Sequence, residues 1–594
     1  MGLQSNGLSL EIVGREISGR PVPGKPRRPT GPYLLGLPAL LLSCVLLIPI
    51  AVTVVAAFKR PDGSFGLGNF AVMGDPAALH AVGNSLAWIA VALGLVVVGF
   101  LLALVSYRLP GLSTFLQPAL VIPFAVSVLV SGATFRLIYD ATPERGTVTA
   151  IWTELFGSSP VWLGPGLFWL VLVSAFGWTW LGYVVSLFRA GLDAIPDDVS
   201  RTLTTEGVTG WRRLLALELP LLRPITGVVT LTLVIAAVRV FDLVLIVVPG
   251  PMQRDADVLG LNWWRATSTG EPAGRTAAMG VVLFAIVAAV AVIGVRGLRR
   301  RRWAMPVSVV PVSVVRPSVA RSRPSRRARR IGWTVGFAVG LIWILPALVL
   351  VATALHSPRE AGLRGWWSLH GIGLESFAAA ANAGLLRALL STLLISAVAT
   401  LVLLVIAVPT AYLVAWGGLP HWLGRVVTSA FVVLAVTPVQ MYAAPLRDAI
   451  GTAGLAGSRV ALALVHAAAG LPFAVLLLRS AFASASPVLV AEALQGPARQ
   501  SAVLATVQRR YRPALVAVAV LEFALVWNDF IVGFLISGPG TTPLSLVLWG
   551  EARQFSASSG TVAAAAVVAS IVPVVLLLSF WPTVVRGLTV GSKP

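Results

Sequence analysis

The chain alternates between long apolar runs and short polar connectors. Apolar runs recur near 33–58, 84–106, 116–138, 166–188, 222–248 and 276–295, and again near 331–355, 388–415, 425–446, 459–480, 513–537 and 560–583. One membrane crossing needs ~20 apolar residues, and hydrocarbon offers backbone polar groups no partner outside their own helix. The pattern predicts an all-α polytopic membrane protein with about twelve transmembrane helices. Two stretches interrupt it. Ile195–Pro224 and Pro487–Pro513 are polar and charged, each follows the fourth run of its set, and each ends in proline. This recurrence predicts two six-helix repeats. Even parity starts both on the same side, so they are expected to be parallel, related by an axis along the membrane normal.

Composition and charge refine this picture. Of 594 residues, 57% are hydrophobic and only 11% charged, which excludes an ordinary soluble domain. The net charge of +22 could suggest nucleic acid, but the arginines cluster beside apolar runs, as topology signals do. Residues 1–31 read as a disordered tail, 32–297 as a first membrane domain, 298–330 as a basic linker, and 331–594 as a second membrane domain. The linker carries Arg299–Arg302 and then Arg326, Arg327, Arg329 and Arg330. Tail, linker and both polar loops fall on one side of the predicted bundle, and their arginines make that side cytoplasmic. The expectation is a multi-pass cell-membrane protein with both termini inside. The single cysteine, Cys44, excludes a disulfide framework within the chain. No phosphate-binding G-x-x-x-x-G-K-[ST] loop, metal-spaced ligand set or nucleophile–base pair stands out. The reading is therefore not an enzyme, with no cofactor held by this chain.

The first polar loop is chemically the most distinctive stretch. Gly207 permits a turn; Trp211, Leu214, Leu215, Leu217 and Leu219 follow at roughly helical spacing; Pro220 and Pro224 bend or stop what comes next. By itself this describes a cytoplasmic amphipathic helix on the membrane surface. The segment EGVTGWRRLLALELPLLRP also resembles the coupling motif of ABC importer permeases: EAA, three residues, Gly, nine residues, I-x-L-P. Aligned on Gly207, the terminal positions fall on Leu217, Leu219 and Pro220, while Arg201, Thr202 and Leu203 replace Glu-Ala-Ala. The second loop has the converse pattern. Glu492 and Ala493 match the start, Gly496 comes two residues early, and Gln508 and Arg509 stand where Leu-Pro belongs. Val240-Phe241-Asp242 and Pro249-Gly250-Pro251 resemble MalF-like subunits. Trp527-Asn528-Asp529-Phe530 and the tail from Gly587 to Lys593 resemble MalG-like ones. The whole is similar to a MalF-like and a MalG-like carbohydrate permease fused end to end. That resemblance assigns ATPase coupling to Glu206, Gly207, Trp211, Leu217, Leu219, Pro220, Glu492, Ala493 and Gly496.

Ionisable groups at membrane depth are functional candidates because burying them costs several kcal/mol unless they are paired or wet. Arg239 and Asp242 lie three apart, suited to pairing on one helical face. Glu522 and Asp529 lie seven apart, again on one helical face, with Trp527 and Asn528 beside the latter. These six are candidates for the substrate path, where carboxylates, amides and an aromatic ring suit a hydroxylated cargo; interhelical packing is the alternative. Arg136 is expected to pair with an acid and His466 to pack or make one hydrogen bond.

The resemblance implies the type I ABC importer permease fold and a permease for a sugar or related polyhydroxylated solute. It also implies two separate ATPase domains, which bind the ATP and dock on the loops 195–224 and 487–513. An extracytoplasmic solute-binding protein and membrane lipid complete the expected partners; nucleic acid is not among them. The unequal decay of the two motifs predicts unequal coupling. An ion-coupled secondary carrier, which also can have two parallel repeats, remains the competing class, and iron or thiamine the competing cargo.

Overall fold

The apolar runs fold as helices throughout the computed structural model, which describes residues 33–109, 111–195, 214, 218–299, 326–416, 419–484, 500–538, 541–553 and 555–589. In chain order the first half holds α1 (Leu37–Phe58), α2 (Pro76–Arg108), α3 (Leu112–Ala125), α4 (Val128–Ile138), α5 (Thr147–Phe156), α6 (Phe168–Asp193), α7 (Leu219–Val238), α8 (Phe241–Val247), α9 (Leu259–Ser268) and α10 (Ala273–Arg299). The second half holds α11 (Arg326–Ala354), α12 (Pro358–Leu363), α13 (Glu375–Asn382), α14 (Leu385–Trp416), α15 (His421–Val436), α16 (Ala443–Thr452), α17 (Arg459–Ala483), α18 (Gln500–Arg510), α19 (Arg512–Trp527), α20 (Ile531–Ile536), α21 (Leu544–Ala552) and α22 (Phe555–Thr589). Extended structure among the described residues is limited to two isolated bridges, Lys59 with Phe65 and His356 with Ile372.

Of the twelve or so expected membrane helices, some are unbroken and others bend or break within the span. Among the described residues, eight helices are long and apolar enough to cross a membrane, and two bent pairs, α3/α4 at 108° and α7/α8 at 49°, raise the count to ten. The corresponding spans of the second half, α15/α16 and α19/α20, are also broken. Their longer segments are 16 residues each, short of a full crossing. The breaks have local causes. Pro118 and Pro123 remove backbone donors from α3. Ser127 then restarts the chain by accepting from the Val130 amide at 3.2 Å. In the second half Pro438 follows α15. Asp529 caps α20, its Oδ2 accepting from the amides of Val532 at 2.9 Å and Gly533 at 3.2 Å.

Packing repeats in the same order in both halves. Helix α2 packs on α6 as α14 packs on α17, and α7 lies against α2 and α10 as α19 lies against α14 and α22. The first helix of each half crosses to the other: α1 packs on α16 and α17, and α11 packs on α3 and α4. Glycine makes one such contact possible inside a half. A Cβ on Gly182 of α6 would stand 1.7 Å from the Leu120 carbonyl oxygen of α3, so backbone meets backbone there.

The described residues that flank the polar loops, the linker and the N-terminal tail meet one another. Gly36 meets Leu413, Gly111 meets Arg329 and Trp333, and Trp416 reaches Phe482. The opposite end of the bundle carries the connector 249–258, tied down by Asn84 of the first half, and the connector 355–373, tied down by Arg145 of the first half and Ser376 of the second.

Candidate functional site

The two halves meet where their helices break. Breaks at Arg239–Val240 in the first half and Asn528–Phe530 in the second stand at equivalent points, each just past the end of the fifth-run helix of its half, α7 or α19. Arg239 Nη2 reaches Asp529 Oδ1 across the seam at 3.7 Å. Asn528 Nδ2 donates to the Ala125 carbonyl at 3.0 Å, on the bend between α3 and α4. Helix breaks thus supply the acceptor groups that an intact helix would use internally.

Three residues past each helix end stand Phe241 and Phe530, both buried, with ring centroids 6.5 Å apart and ring planes 28° from parallel. Each also touches the sixth residue of the next helix in its own half. Phe241 lies 6.1 Å from Trp264 of α9 and Phe530 lies 5.9 Å from Trp549 of α21. Phe534 joins the group, 5.5 Å from Trp264 and 5.0 Å from Trp549. Equivalent residues of the two halves therefore build one aromatic cluster across the seam. The sequence reading missed it, because an aromatic residue in an apolar run carries no signal of its own.

Two predicted placements on a shared helical face are corrected by this geometry. Arg239 does not pair with Asp242. The helix ends between them, so Asp242 turns its Oδ1 to the Leu243 amide at 2.9 Å and Arg239 crosses to Asp529. Glu522 and Asp529 do not share a helical face, since α19 stops at Trp527. Glu522 is buried, and a Cβ on Gly470 of α17 would stand 2.2 Å from its carboxylate, so the acid is seated on bare backbone. No hydrogen-bond or ion-pair partner reaches it among the described residues. Trp527 is spent within its own half, donating Nε1–H to the Ala569 carbonyl at 2.8 Å and stacking on Phe523. Arg136 is anchored on backbone oxygens at two helix ends, Ile246 at 3.1 Å and Ala552 at 3.4 Å, one from each half. His466 is buried in α17, within electrostatic reach of the Arg239–Asp529 pair.

Known proteins resemble this chain over half its length at a time. It is 29% identical over 270 residues to the osmoprotective compounds uptake permease protein GgtD of Synechocystis, a match covering 43% of this chain and 88% of the relative. The arabinooligosaccharides transport system permease protein AraP of Bacillus subtilis is 28% identical over 279 residues, covering 45% and 87%. The trehalose/maltose transport system permease protein MalF of Thermococcus litoralis is 29% identical over 212 residues, covering 35% and 69%. Among solved structures, a bacterial ABC transporter involved in the import of the acidic polysaccharide alginate aligns with TM-score 0.41 and 18% identity, over 46% of this chain and 95% of that one. No protein-family model matches. The chain is similar to these transport permeases and about twice their length.

In such a permease the polar loops matter as much as the seam. Of the coupling residues read from the sequence, Leu219 and Pro220 are described; they open α7, with Pro220 in its first turn where a missing amide costs nothing. Glu206, Gly207, Trp211, Leu217, Glu492, Ala493 and Gly496 lie outside the described residues. The stems of the first loop are visible, and both are clamped to the end of α2. Arg189, near the end of α6, donates to the Ser106 carbonyl and lies 5.1 Å over the Tyr107 ring. Glu218, just before α7, pairs with Arg108 at 3.5 Å. In the second half, Trp416 Nε1 donates to the Phe482 carbonyl at 2.7 Å, and Phe482 packs on Tyr511 at 6.2 Å, joining α14 and α17 to the junction of α18 and α19. Glu218 occupies the unspecified position of I-x-L-P, so the motif alone gave no reason to select it.

At the other end, the connector 249–258 is pinned to α2. Asn84 Nδ2 donates to the carbonyls of Asp255 at 3.0 Å and Asp257 at 2.8 Å. Burial pushes the Asp257 carboxyl up to about 6, against the opposing pull of Arg265 at 2.5 Å. Its Oδ1 is buried without a hydrogen bond, which is why burial prevails over the ion pair.

Proposed function

We propose that this permease carries a sugar or related polyhydroxylated solute inward, driven by two separate ATPase domains that dock on the loops 195–224 and 487–513. The loop end of the bundle is then cytoplasmic, with both termini on that side. The opposite end receives solute from an extracytoplasmic binding protein. The observation that carries this reading is the seam. At bilayer depth, equivalent broken helices of the two halves meet through one ion pair and a shared aromatic cluster. Aromatic faces and hydrogen-bonding groups are what a hydroxylated ring requires. A seam between two rigid halves is also where one can rock against the other. Docked ATPases would pull on the stems, and α2, clamped to both stems of the first loop, would carry that motion into its half. Nucleotide shifts the population between seam-closed and seam-open states only through contacts that differ between them.

Uptake of labelled oligosaccharides into vesicles holding this chain, its ATPase and its binding protein tests the reading. Uptake that requires all three components and ATP supports it. Uptake at the same rate without ATP, driven by an ion gradient, overturns it in favour of a secondary carrier, for which Glu522 is the acid to examine first.

A further inference from the structure

At the end of the bundle away from the polar loops lies a cavity of about 190 Å³ to which both halves contribute. Its charged and hydroxyl lining comprises Arg136, Arg145 and Asp140 from the first half and Thr353, Arg364, Arg553 and Ser559 from the second, the Thr353 hydroxyl being spent on the Val349 carbonyl. Four guanidiniums thus face one carboxylate, and that carboxylate is already committed. Asp140 Oδ1 accepts from Arg145 Nη2 at 3.1 Å and from the Thr142 amide at 2.9 Å.

Several donors around the cavity are unspent. Arg145 uses Nη1 on the Gly362 carbonyl at 2.9 Å, but its Nε is buried without an acceptor. Arg364 engages Glu360 through Nε at 3.3 Å, leaving its terminal nitrogens without a hydrogen bond among the described residues. Arg553 lies over the Trp549 ring at 5.2 Å and has no hydrogen-bond acceptor among those residues. The Ser559 hydroxyl is buried and also lacks a partner. Unsatisfied buried donors are costly, and guanidinium forks match planar or tetrahedral oxyanions in geometry. The volume is below the ~300–1,000 Å³ that encloses a whole ligand. It suits one anionic group, with the rest of its molecule outside. Trp549 connects the cavity to the aromatic cluster of the seam.

We propose that this arginine-lined cavity is an oxyanion site that takes a carboxylate or phosphate group of the transported solute at the outer mouth of the seam. The word "transported" rests on the permease reading; the binding site itself does not.

Binding is therefore measured on the purified full chain in lipid nanodiscs, without ATPase, using glucuronate, glucose 6-phosphate, glucose and inorganic phosphate. At least one of the two sugar anions is expected to bind and raise the melting temperature, and glucose is not. Whichever anion binds identifies the group as carboxylate or phosphate. Arg553→Gln and Arg364→Gln are each expected to weaken that binding about tenfold, the loss of one charge-assisted hydrogen bond. Both positions are exposed, so the fold is retained, and Arg136, which braces two helix ends, is left intact. Raising the ionic strength is expected to weaken binding in the unaltered protein as well.

Equal binding of glucose, no binding of any of the three anions, or unchanged affinity in both variants overturns the site. Binding of inorganic phosphate alone overturns its assignment to a solute. ATP-driven uptake that fails while anion binding persists counts against the permease reading and leaves the oxyanion site standing.

Discussion

The Arg239–Asp529 pair is the one ionic contact across the seam, among the described residues, that joins two helix breaks, and its energetics can be worked through. At 3.7 Å, two unit charges attract by about 4 kcal/mol at an effective dielectric of ~20. Asp529 is nearly buried, but the Arg239 side chain is 45% exposed, so screening and conformational cost reduce this to about 1–2 kcal/mol. If the pair forms only while the seam is closed, that energy shifts the closed-to-open ratio roughly 5–30-fold. The choice of substitution matters because Asp529 also caps α20. Asp529→Asn removes the charge and keeps an accepting oxygen, whereas Asp529→Ala loses about a further 1 kcal/mol of capping. The clean experiment is a double-mutant cycle of Arg239→Gln and Asp529→Asn, with unfolding followed in mixed detergent–SDS micelles. A coupling of about 1–2 kcal/mol is expected, and the charge-swapped protein should recover part of it. Single losses that add to within about 0.5 kcal/mol would refute an energetic link between the halves at this point.

Three further outcomes follow from the geometry. Gly182→Ala should cost about 1–3 kcal/mol in the same unfolding assay, because its Cβ meets the Leu120 carbonyl. Gly177→Ala on the same helix, whose nearest atom would be 3.8 Å away, should be neutral, and equal effects at the two sites would sink the close-approach explanation. Asp257 holds its proton more tightly when folded, up to about 6 against an ordinary 3.8. Its contribution is therefore greatest below about pH 4, falls as pH rises through about 6, and is flat above, spanning at most about 3 kcal/mol. Asp257→Asn should flatten the melting temperature across that window, and an unchanged profile counts against it. Glu218→Gln should lower transport several-fold per ATP hydrolysed by loosening the loop stem, with Arg108→Glu plus Glu218→Arg restoring it. A ratio equal to that of the unaltered protein would show that the clamp does not carry the coupling.

The sequence by itself determined the class of the molecule. Apolar runs near the length of a bilayer core admit helices and little else, so an all-α membrane bundle follows from the solvent. The order of runs and the two polar loops made the doubling visible, and the coupling-motif halves around Gly207 and Glu492 pointed to the permease family. Each of these is a property of contiguous residues. The site depends on residues far apart in the chain, and helical spacing misjudged it. Spacing placed Arg239 with Asp242 and Glu522 with Asp529, as on straight helices. The helices stop at Val238 and Trp527, and three or seven residues beyond a break no longer share a face. What Arg239 meets is set by where the other half's break falls, 290 positions later. The same holds for Phe241 against Phe530 and for the arginine cavity, whose lining comes from chain segments near 140, 360 and 555. Local chemistry fixed which segments enter the membrane; the packing of one half on the other decided which charges and rings meet there.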